Sequence, residues 1–359
     1  MKKFLTITLA IFIMLSTVAT YAKTETENIQ QQLPDFVITA ETIQTKIEAL
    51  GEITDNSKIN EIFGIIRLYK LMSAKEAAKV NNFDVLKKAL ETSASFYDQD
   101  DIKLRIMSFN VRTGETQEDR LNRVVTQIKQ ESPDSFGVQE AWGRWTRVIK
   151  ENLGDEYEEI GHGRDEMKHG ETSNIYYKRD KFDLLDSGTI WLTETPHVYS
   201  CYYNPIEKED DTPRIMTYAV LKRKSDGAVF IHANTHLSAD TSLARETQGY
   251  WLIDYLKYTF EFDYPIVLTG DFNEGEGSGI YNLVVGNGFT PSDLYGEKKR
   301  TFHGYGSSST YIDFCFANEY VPIVGYKVCD EQMDGQWVSD HNAVIGEVLI
   351  LPETADLGK

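Results

Sequence analysis

The chain has 359 residues, of which 41% are hydrophobic and 26% charged, with 56 acidic and 37 basic side chains and a formal net charge of −19. This composition is typical of a globular protein with one large or two smaller domains, and it excludes a wholly disordered chain and a multi-span membrane protein. The excess of acidic side chains argues against nucleic-acid binding through a broad basic surface, although a bound cation can make the electrostatic potential positive locally. Three cysteines, Cys201, Cys315 and Cys329, are too few for a disulfide scaffold and match no zinc spacing.

Residues 1–22 have the pattern of a secretory signal peptide. A basic start precedes a mostly apolar run from Phe4 to Leu15, and small residues follow up to Ala22, before a cleavage position at Lys23. A membrane anchor would need about 20 apolar residues, and this run is shorter. We therefore expect an exported protein, periplasmic or extracellular, with no transmembrane segment in the mature chain.

Residues 23–100 are rich in Glu, Gln, Lys, Ile and Leu, and they predict a small helical region. Apolar side chains recur at helical spacing, for example Ile43 and Ile47. Ser73, followed three residues later by Glu76, is the pattern of a capping box at the start of a helix. We expect two or three helices without a catalytic constellation, which form either a small docking module or a collar on the main domain.

From residue 101 to residue 352 the pattern changes to short strands, turns and a few long helices, and residues 353–359 form a tail. Strands are predicted where apolar residues alternate or cluster, at 102–109, 135–138, 174–177, 216–222, 229–234 and 265–269. Apolar stripes at helical spacing predict helices at 118–130 and 242–258. Many strands with few long helices favour an α+β fold, with sheets stacked between helices, over a doubly wound Rossmann sheet.

Polar side chains gather where the predicted strands begin or end. Strand ends that face one rim of a sheet build a cleft, so polar residues concentrated there indicate a functional site. The residues at such positions are Asn110, Glu140, His236, Asp271, Asn273, Asp313, Asp340 and His341. Each alone has a simpler interpretation as a turn residue, a helix cap or a buried hydrogen-bonded acid, but the set as a whole favours catalysis.

The residue types in this set point to hydrolysis assisted by a hard divalent cation. Magnesium prefers oxygen ligands and takes one or two carboxylates together with waters, which Glu140, Asn110 and Asp340 could supply. Two histidines, His236 and His341, suit general acid–base work at a phosphorus centre. The sequence has no Cys-His cluster for zinc, no glycine-rich nucleotide loop and no Gly-x-Ser-x-Gly elbow.

Six short motifs occur in a fixed order along the chain: Ser-Phe-Asn-Val (108–111), Gly-Val-Gln-Glu (137–140), Asn-Thr-His-Leu (234–237), Gly-Asp-Phe-Asn (270–273), Tyr-Ile-Asp-Phe (311–314) and Ser-Asp-His (339–341). Together they resemble the endonuclease/exonuclease/phosphatase superfamily, which includes deoxyribonuclease I, apurinic endonucleases, neutral sphingomyelinases, inositol-polyphosphate 5-phosphatases and deadenylases. The resemblance covers residues 102–350 and implies a four-layer α/β/β/α sandwich of two packed mixed sheets. Residues 163–196 also resemble uncharacterised secreted bacterial members of this superfamily.

The resemblance also implies roles for the residues that would hold the metal and the attacking water. Asn110 and Glu140 resemble the magnesium ligands of the superfamily, and Asp340 resembles a residue that contributes directly or through water. Asp271 and Asn273 resemble the pair that positions or activates the attacking water and steadies the phosphate.

A second group of residues resembles the phosphate-facing side of the superfamily's site. His341 resembles the histidine that touches the scissile phosphate, polarised by the carboxylate of Asp313. His236 resembles a second phosphate-facing histidine, and Glu171 falls where the deoxyribonuclease branch keeps a carboxylate against it. Arg214 matches a position that holds a phosphate-binding arginine in relatives.

These observations predict a secreted, magnesium-dependent phosphoester hydrolase in which an activated water attacks in line, with manganese as the alternative metal. Acidic or neutral loops favour a small or headgroup-type phosphoester, such as a sugar phosphate, nucleotide or lipid headgroup, over a stable complex with a polynucleotide. The basic exception is Lys298–Arg300. A secreted DNase or RNase is the alternative, and a non-catalytic binding module that keeps the fold is a third hypothesis. The sequence does not indicate an oligomeric state.

Several further residues carry open alternatives. Trp142 and Trp145 follow the candidate metal ligand and either stack on a base or sugar or pack in the core. His169 and His303 lie in glycine-flanked loops that could reach substrate. Cys315, in an apolar run, is expected to be a buried small hydrophobe and not a nucleophile.

Overall fold

The computed structural model describes residues 38–114, 117–205, 209–260 and 264–356, so the predicted signal peptide lies outside the described residues. Within these ranges, no helix combines the length and the apolar character that a bilayer crossing requires. The helices are α1 (Ala40–Leu50), α2 (Ile59–Lys70), α3 (Ala74–Ala77), α4 (Phe83–Ala94), α5 (Gln99–Ile102), α6 (Glu118–Glu131), α7 (Arg144–Leu153), α8 (Ser242–Phe260) and α9 (Gly279–Gly286). The strands are β1 (Lys103–Asn110), β2 (Ser135–Gln139), β3 (Tyr157–Ile160), β4 (Ile175–Lys178), β5 (Phe182–Trp191), β6 (Tyr203–Asn204), β7 (Glu209–Asp210), β8 (Ile215–Arg223), β9 (Val229–His236), β10 (Ile266–Asp271), β11 (Thr290–Pro291), β12 (Asp313–Ala317), β13 (Ile323–Cys329) and β14 (Ala343–Leu349).

Most strands belong to two six-stranded mixed sheets. The first sheet has the order β13-β14-β1-β2-β4-β3, and the second has the order β11-β12-β10-β9-β8-β5. Strands β1 and β2 are parallel in the first sheet, and β9 and β10 are parallel in the second. The carboxyl ends of parallel neighbours lie at the same edge of a sheet, so each sheet brings two strand ends to one rim.

Buried apolar side chains separate the structure into layers. Side chains such as Ile106 and Phe230 fill the space between the sheets. Helices α6 and α7 cover the outer face of the first sheet with residues such as Trp145, and α8 and α9 cover the second with residues such as Leu252. The fold is therefore the four-layer α/β/β/α sandwich, and the prediction of an α+β fold is confirmed.

The N-terminal helices continue the core between the sheets. Ile43 of α1, Ile62 of α2 and Leu86 of α4 belong to the same buried cluster as Leu104 of β1 and Val348 of β14. An element that shares its hydrophobic core with a domain gains its stability from that packing. This arrangement favours the collar over the separate docking module.

The predicted capping box at α3 is half formed. The Ser73 hydroxyl accepts a hydrogen bond from the Glu76 backbone N–H at 3.3 Å, as a capping box requires. The Glu76 carboxylate, however, accepts from the Ala40 backbone N–H at 3.3 Å instead of returning to Ser73. The side chain therefore links α3 to the start of α1.

The predicted strands correspond to β1, β2, β4, β8, β9 and β10, and the predicted helices to α6 and α8, with ends displaced by one or two residues. Strand β5 has no counterpart among the predictions. It lies at the edge of the second sheet, paired with β8, and residues 183–186 are exposed. Because neither face of this stretch is consistently buried, its sequence lacks the alternation that reveals a strand.

The first residues of the predicted tail are packed against the domain. Pro352–Asp356 form a short 3₁₀ turn. Thr354 is fully buried there, and its hydroxyl accepts a hydrogen bond from the Val229 backbone N–H at 3.0 Å. The globular domain therefore extends past residue 353.

The three cysteines are unpaired. Cys315 on β12 and Cys329 on β13 are buried, and burial raises the pKa of both thiols to about 12. A thiol with such a pKa stays protonated and is a poor nucleophile. The expectation that Cys315 is a buried small hydrophobe is confirmed.

Alternation along the inner strands directs polar side chains into one end of the space between the sheets. Successive side chains of a strand point to opposite faces, so Asn110 shares the inner face of β1 with Leu104 and Ile106. By the same rule, β10 carries Val267 and Asp271 on one face. The inner face is thus apolar in the middle of the sandwich and polar at the rim.

His232 on β9 anchors a buried polar network between the two sheets. One ring nitrogen lies 2.8 Å from the Ser135 hydroxyl and the other lies 2.9 Å from the Thr269 hydroxyl. The Ser135 hydroxyl donates to the Tyr176 carbonyl, so it accepts from the His232 Nδ1–H. Burial lowers the pKa of His232 to about 3, which keeps the ring neutral.

We expect His232→Gln to flatten the acid sensitivity of the fold. The folded-state pKa of about 3 lies below the unfolded value near 6.5, so stability from His232 is present above pH 6.5 and is lost as the pH falls. Between pH 6.5 and 4.5 this linkage costs the parent about 2–3 kcal/mol of unfolding free energy. Urea unfolding at both pH values measures it, with the exposed His197→Gln as control. Equal pH dependence in parent and His232→Gln would contradict the assignment.

Candidate active site

The predicted site residues converge at one rim of the sandwich. Register explains the convergence in the second sheet, because Asp271 of β10 pairs with His236 of β9 on one side and with Asp313 of β12 on the other. Asn110 ends β1 opposite them in the first sheet, and its side-chain nitrogen donates to Asp271 Oδ2 at 2.9 Å. This contact connects the two sheets at the site.

Glu140 follows β2 and lies beside Asn110. The Asn110 side-chain nitrogen donates to Glu140 Oε1 at 3.1 Å, and the Thr113 backbone N–H donates to Glu140 Oε2 at 2.9 Å. The backbone of Glu140 is left-handed, with φ of 62°. A non-glycine residue rarely adopts this conformation, so the fold holds Glu140 in a strained position that fixes its carboxylate.

Asn273 is placed by a second left-handed turn after β10. Its φ is 53°, its backbone N–H donates to Asp271 Oδ1 at 2.9 Å, and its side-chain nitrogen donates to the Leu237 carbonyl at 3.0 Å. Asparagine tolerates the left-handed region better than most residues. The turn therefore locks Asp271 and Asn273 into one unit, the pair predicted to act together.

His341 and Asp313 form a buried hydrogen-bonded pair. His341 Nδ1 lies 2.9 Å from Asp313 Oδ2, and both side chains are almost fully buried. Burial alone lowers the pKa of His341, but the Asp313 carboxylate, its hydrogen bond and the charge of Asp271 outweigh it and raise the pKa to about 10. The ring is therefore a cation at neutral pH, with Nε2 free to donate.

His236 lies on the other side of Asp271 and differs in charge. Its Nε2 is 3.7 Å from Asp271 Oδ2, and the Nε2 of His341 is 3.8 Å from the same oxygen. Burial, followed by the positive charges of Arg214 and Arg164, lowers the pKa of His236 well below its usual range. The site thus pairs one neutral histidine with one cationic histidine around a single carboxylate.

Burial and the neighbouring Asp313 carboxylate raise the pKa of Asp271, against the opposing effect of His341. A carboxylate whose pKa is moved towards neutrality is a better proton acceptor than an ordinary aspartate.

Arg214, just before β8, is a buried guanidinium with free donors. It is 7% exposed, and its Nε and Nη1 atoms have no hydrogen-bond partner. Burial lowers the pKa of Arg214 to about 10, and the charge of Arg164 adds to the effect, so the side chain remains charged at neutral pH. Unpaired buried donors are costly, and they indicate a site built to receive an anion.

The residue beside Arg214 that the sequence analysis missed is Arg164. Its guanidinium pairs with Glu171 at 2.8 Å, and its own Nε is buried without a partner. Glu171 was expected against His236, but the structure places it on Arg164. Residues 163–165 have no local pattern that indicates an active-site arginine.

Comparison with known proteins identifies the group to which this architecture belongs. The model of the Endonuclease/Exonuclease/phosphatase family matches residues 107–341, more than half of the chain. The chain belongs to the endonuclease/exonuclease/phosphatase family. Its members are hydrolytic phosphoesterases and nucleases, so the prediction of a phosphoesterase is confirmed at this level, and a metal-dependent hydrolase fits.

Two solved bacterial structures are similar over most of their own length. An endonuclease/exonuclease/phosphatase from Bacteroides vulgatus is 27% identical with a TM-score of 0.63, covering 69% of this chain and 99% of the other. A mannosyl-6-phosphatase from Bacteroides thetaiotaomicron is 26% identical with a TM-score of 0.61, covering 69% of this chain and 100% of the other.

A curated relative extends the comparison to nucleases. The CCR4-Not complex 3'-5'-exoribonuclease subunit Ccr4 of Mycosarcoma maydis is 22% identical over 191 residues, which is 44% of this chain. The match spans 28% of the length of that relative. The proteins similar to this chain therefore include one named as a sugar phosphatase and one named as an exoribonuclease subunit.

The donor atoms at the family's site suit a hard cation. Glu140 and the nearby Asp340 supply carboxylates, and Ser339 bonds to both Asp340 and the Asn110 carbonyl. Burial raises the pKa of Asp340, and the Glu140 carboxylate contributes to the rise, because two carboxylates facing one another favour a bound cation or a proton. In this geometry the Asn110 amide oxygen accepts from the Arg112 backbone N–H at 2.9 Å, and its nitrogen faces the carboxylates.

A second cluster, Asp271, Asp313 and His341, also places ligand atoms within 4.8 Å of one another. Asp313 and His341 are already bonded to each other at 2.9 Å. That hydrogen bond already occupies one donor atom of each side chain, and a cationic imidazole does not ligate a metal. The donor chemistry therefore fits a cation better at Glu140 and Asp340.

The structure separates the residues whose roles were open. Trp145 is fully buried in the core, while Trp142 is 57% exposed beside the site. His303 is fully buried and stacked on Trp337 with ring centroids 4.0 Å apart, while His169 is exposed. Of these residues, only Trp142 and His169 have side chains that a substrate could reach.

Proposed function

We propose that the protein is an exported, magnesium-dependent phosphoester hydrolase that acts on a small phosphate ester, with manganese as the alternative metal. The observation that carries the proposal is the buried guanidinium of Arg214, whose free donors lie among His236, Asp271 and Glu171. A buried, charged guanidinium with unpaired donors suits one phosphoryl group. The signal-like pattern of residues 1–22 supports export to the periplasm or the medium.

In the proposed mechanism, Asp271 accepts a proton from a water that Asn273 helps to orient, and the water oxygen bonds to phosphorus as the in-line bond to the leaving oxygen breaks. The leaving oxygen takes a proton from solvent water, and Asp271 returns its proton to the solvent. Cationic His341, Arg214 and neutral His236 donate hydrogen bonds to the phosphoryl oxygens, where negative charge builds. Glu140 and Asp340 would hold a divalent cation, which would supply Lewis-acid stabilisation of that charge when bound. Asn110 was expected as a third ligand, but its side-chain nitrogen faces the carboxylates and donates to Glu140, so it positions that carboxylate instead.

The distribution of ion pairs supports a small substrate over a polynucleotide. Lys298, in the basic stretch of the sequence, pairs with Asp293 at 3.0 Å, and Lys299 pairs with Asp330 at 3.1 Å. Paired lysines offer little charge to the flanking phosphates of a nucleic acid. The likeness to a mannosyl-6-phosphatase points the same way. Because a relative that is 22% identical is an exoribonuclease subunit, a secreted nuclease is the second candidate function.

Phosphate release by the purified protein tests the proposal. We expect hydrolysis of mannose 6-phosphate or a nucleoside monophosphate with Mg²⁺ or Mn²⁺, and a loss of about a thousandfold in Glu140→Gln because the charge that would hold the cation is removed. The exposed Glu331→Gln is the matched control and is expected to equal the parent.

Two outcomes contradict the proposal. Degradation of plasmid, single-stranded DNA or RNA without phosphate release from any small ester would establish the nuclease instead. Absence of turnover on every ester and polynucleotide, with unchanged metal binding in Glu140→Gln, would favour the non-catalytic binding module.

A further inference from the structure

A cavity of about 800 Å³ lies beside the candidate active site. One wall is the start of α7 with the preceding Trp142, and the other is formed by the segment from Gly161 to Thr172. The Thr172 backbone N–H donates to the Ala141 carbonyl at 2.9 Å and joins the two walls. Since Glu140 and Glu171 directly precede the two joined residues, the cavity opens next to the site.

The cavity is lined by three basic side chains against two carboxylates, Glu151 and Glu159, so basic groups are in excess. Arg147, Lys150 and Lys168 line it, and among the described residues none of the three has a carboxylate partner within ion-pair distance. Other basic side chains of the described residues do form such pairs, as Lys181 does with Asp134 at 2.9 Å. In a chain of net charge −19, unpaired cations gathered in one concave surface create a local positive field.

The cavity also offers a ring face and free polar atoms. The indole of Trp142 is 57% exposed at its rim. The Thr172 hydroxyl and the Asn174 side-chain oxygen are buried there without a hydrogen-bond partner. An exposed aromatic face stacks on a sugar or base, and buried polar atoms without partners are satisfied by a polar ligand.

We propose that this cavity binds the alcohol portion of the substrate and that this portion is a ring bearing a second phosphate. The inference rests on the proposed function, since it places the first phosphate at Arg214 and His341. The cavity adjoins the site because its joined residues, Ala141 and Thr172, directly follow Glu140 and Glu171, so a substrate whose first phosphate lies in the site can extend into it. Arg147, Lys150 and Lys168 bind the second phosphate, and Trp142 covers the ring.

Binding to an inactive variant tests the cavity separately from catalysis. In a Glu140→Gln background, calorimetric titrations compare fructose 1,6-bisphosphate and adenosine 3',5'-bisphosphate with mannose 6-phosphate. We expect one bisphosphate to bind at least about tenfold more tightly than the monophosphate, because several cations face the second phosphate. Adding Arg147→Gln and Lys150→Gln is expected to bring the ratio of dissociation constants near one. Lys129→Gln, on an exposed face of α6, is the matched control and is expected to keep the preference.

The outcomes of these titrations distinguish a nucleotide, a sugar bisphosphate and a nucleic-acid strand as the ligand of the cavity. A preference for the adenosine compound that Trp142→Ala removes identifies a nucleotide, and a preference for the fructose compound identifies a sugar. Equal binding of mono- and bisphosphates in the parent background, or a preference that survives Arg147→Gln with Lys150→Gln, overturns the inference. Tighter binding of a single-stranded oligonucleotide than of either bisphosphate also overturns it, in favour of a strand-binding cavity. Lack of turnover by the parent would reject the proposed function but leave the bisphosphate preference intact.

Discussion

Asp271→Asn is expected to reduce turnover of a phosphate ester by about a thousandfold or more, because asparagine cannot accept the proton of the attacking water. The carboxylate accepts hydrogen bonds from Asn110 and Asn273 and lies within 4 Å of both histidine Nε2 atoms. Asparagine has the same shape, although only its oxygen can accept, so one of the two hydrogen bonds is lost. The loss should therefore appear in kcat, measured by phosphate release at saturating substrate, with little change in KM.

The same substitution is expected to stabilise the metal-free fold. Burial and Asp313 raise the pKa of Asp271, so the ionised form weakens the folded state, and this penalty grows as the pH rises above the ordinary carboxyl pKa of about 4. Thermal unfolding in chelator should show Asp271→Asn more stable than the parent at pH 8, with the difference fading near pH 4. Such a trade of stability for function is typical of active sites.

Asp155→Asn, an exposed aspartate, serves as the control for both measurements and should match the parent. Full activity in Asp271→Asn would remove Asp271 from the mechanism. A variant that is inactive and also strongly destabilised at pH 8 would show instead that the carboxylate is a structural residue.

The ends of β1 and β10 made part of the site predictable. The apolar run of each strand ends in a polar residue, and strand ends that meet at one rim build a cleft. This reasoning selects Asn110 and Asp271 from the sequence. The left-handed turn that carries Glu140 could not be derived this way, because a glutamate gives no local sign of positive φ.

Other features depended on tertiary contacts that leave no mark on a single sequence. Arg164 enters the site through its pairing with Glu171, and the loop around it has no periodic pattern. Lys298 reads as a free cation in the sequence but is neutralised by Asp293. Trp142 and Trp145 are three residues apart, and only packing shows that one is core and the other exposed.

Asp313→Asn and His341→Gln are expected to act as one unit. The hydrogen bond of 2.9 Å between His341 Nδ1 and Asp313 Oδ2 holds the ring with Nε2 towards the phosphate, so Asp313 is a positioning residue that acts through the histidine. We expect His341→Gln to lower kcat about a thousandfold and Asp313→Asn about a hundredfold. The double variant should be no worse than His341→Gln alone, and the double-mutant cycle measures this coupling.

A titration separates this positioning role from a loss of structure. The Asp313 carboxylate is the largest influence that raises the pKa of His341 to about 10, opposing the effect of burial. In metal-free Asp313→Asn, proton NMR should therefore show the His341 imidazole losing its proton at a much lower pH than in the parent. Asp293→Asn removes an equally buried carboxylate that faces Lys298 and should leave this titration unchanged. A ring that is polarised by its neighbour must change its proton affinity when that neighbour loses its charge. If the His341 titration is unchanged in Asp313→Asn, or if the two losses of kcat are additive, the two side chains act independently.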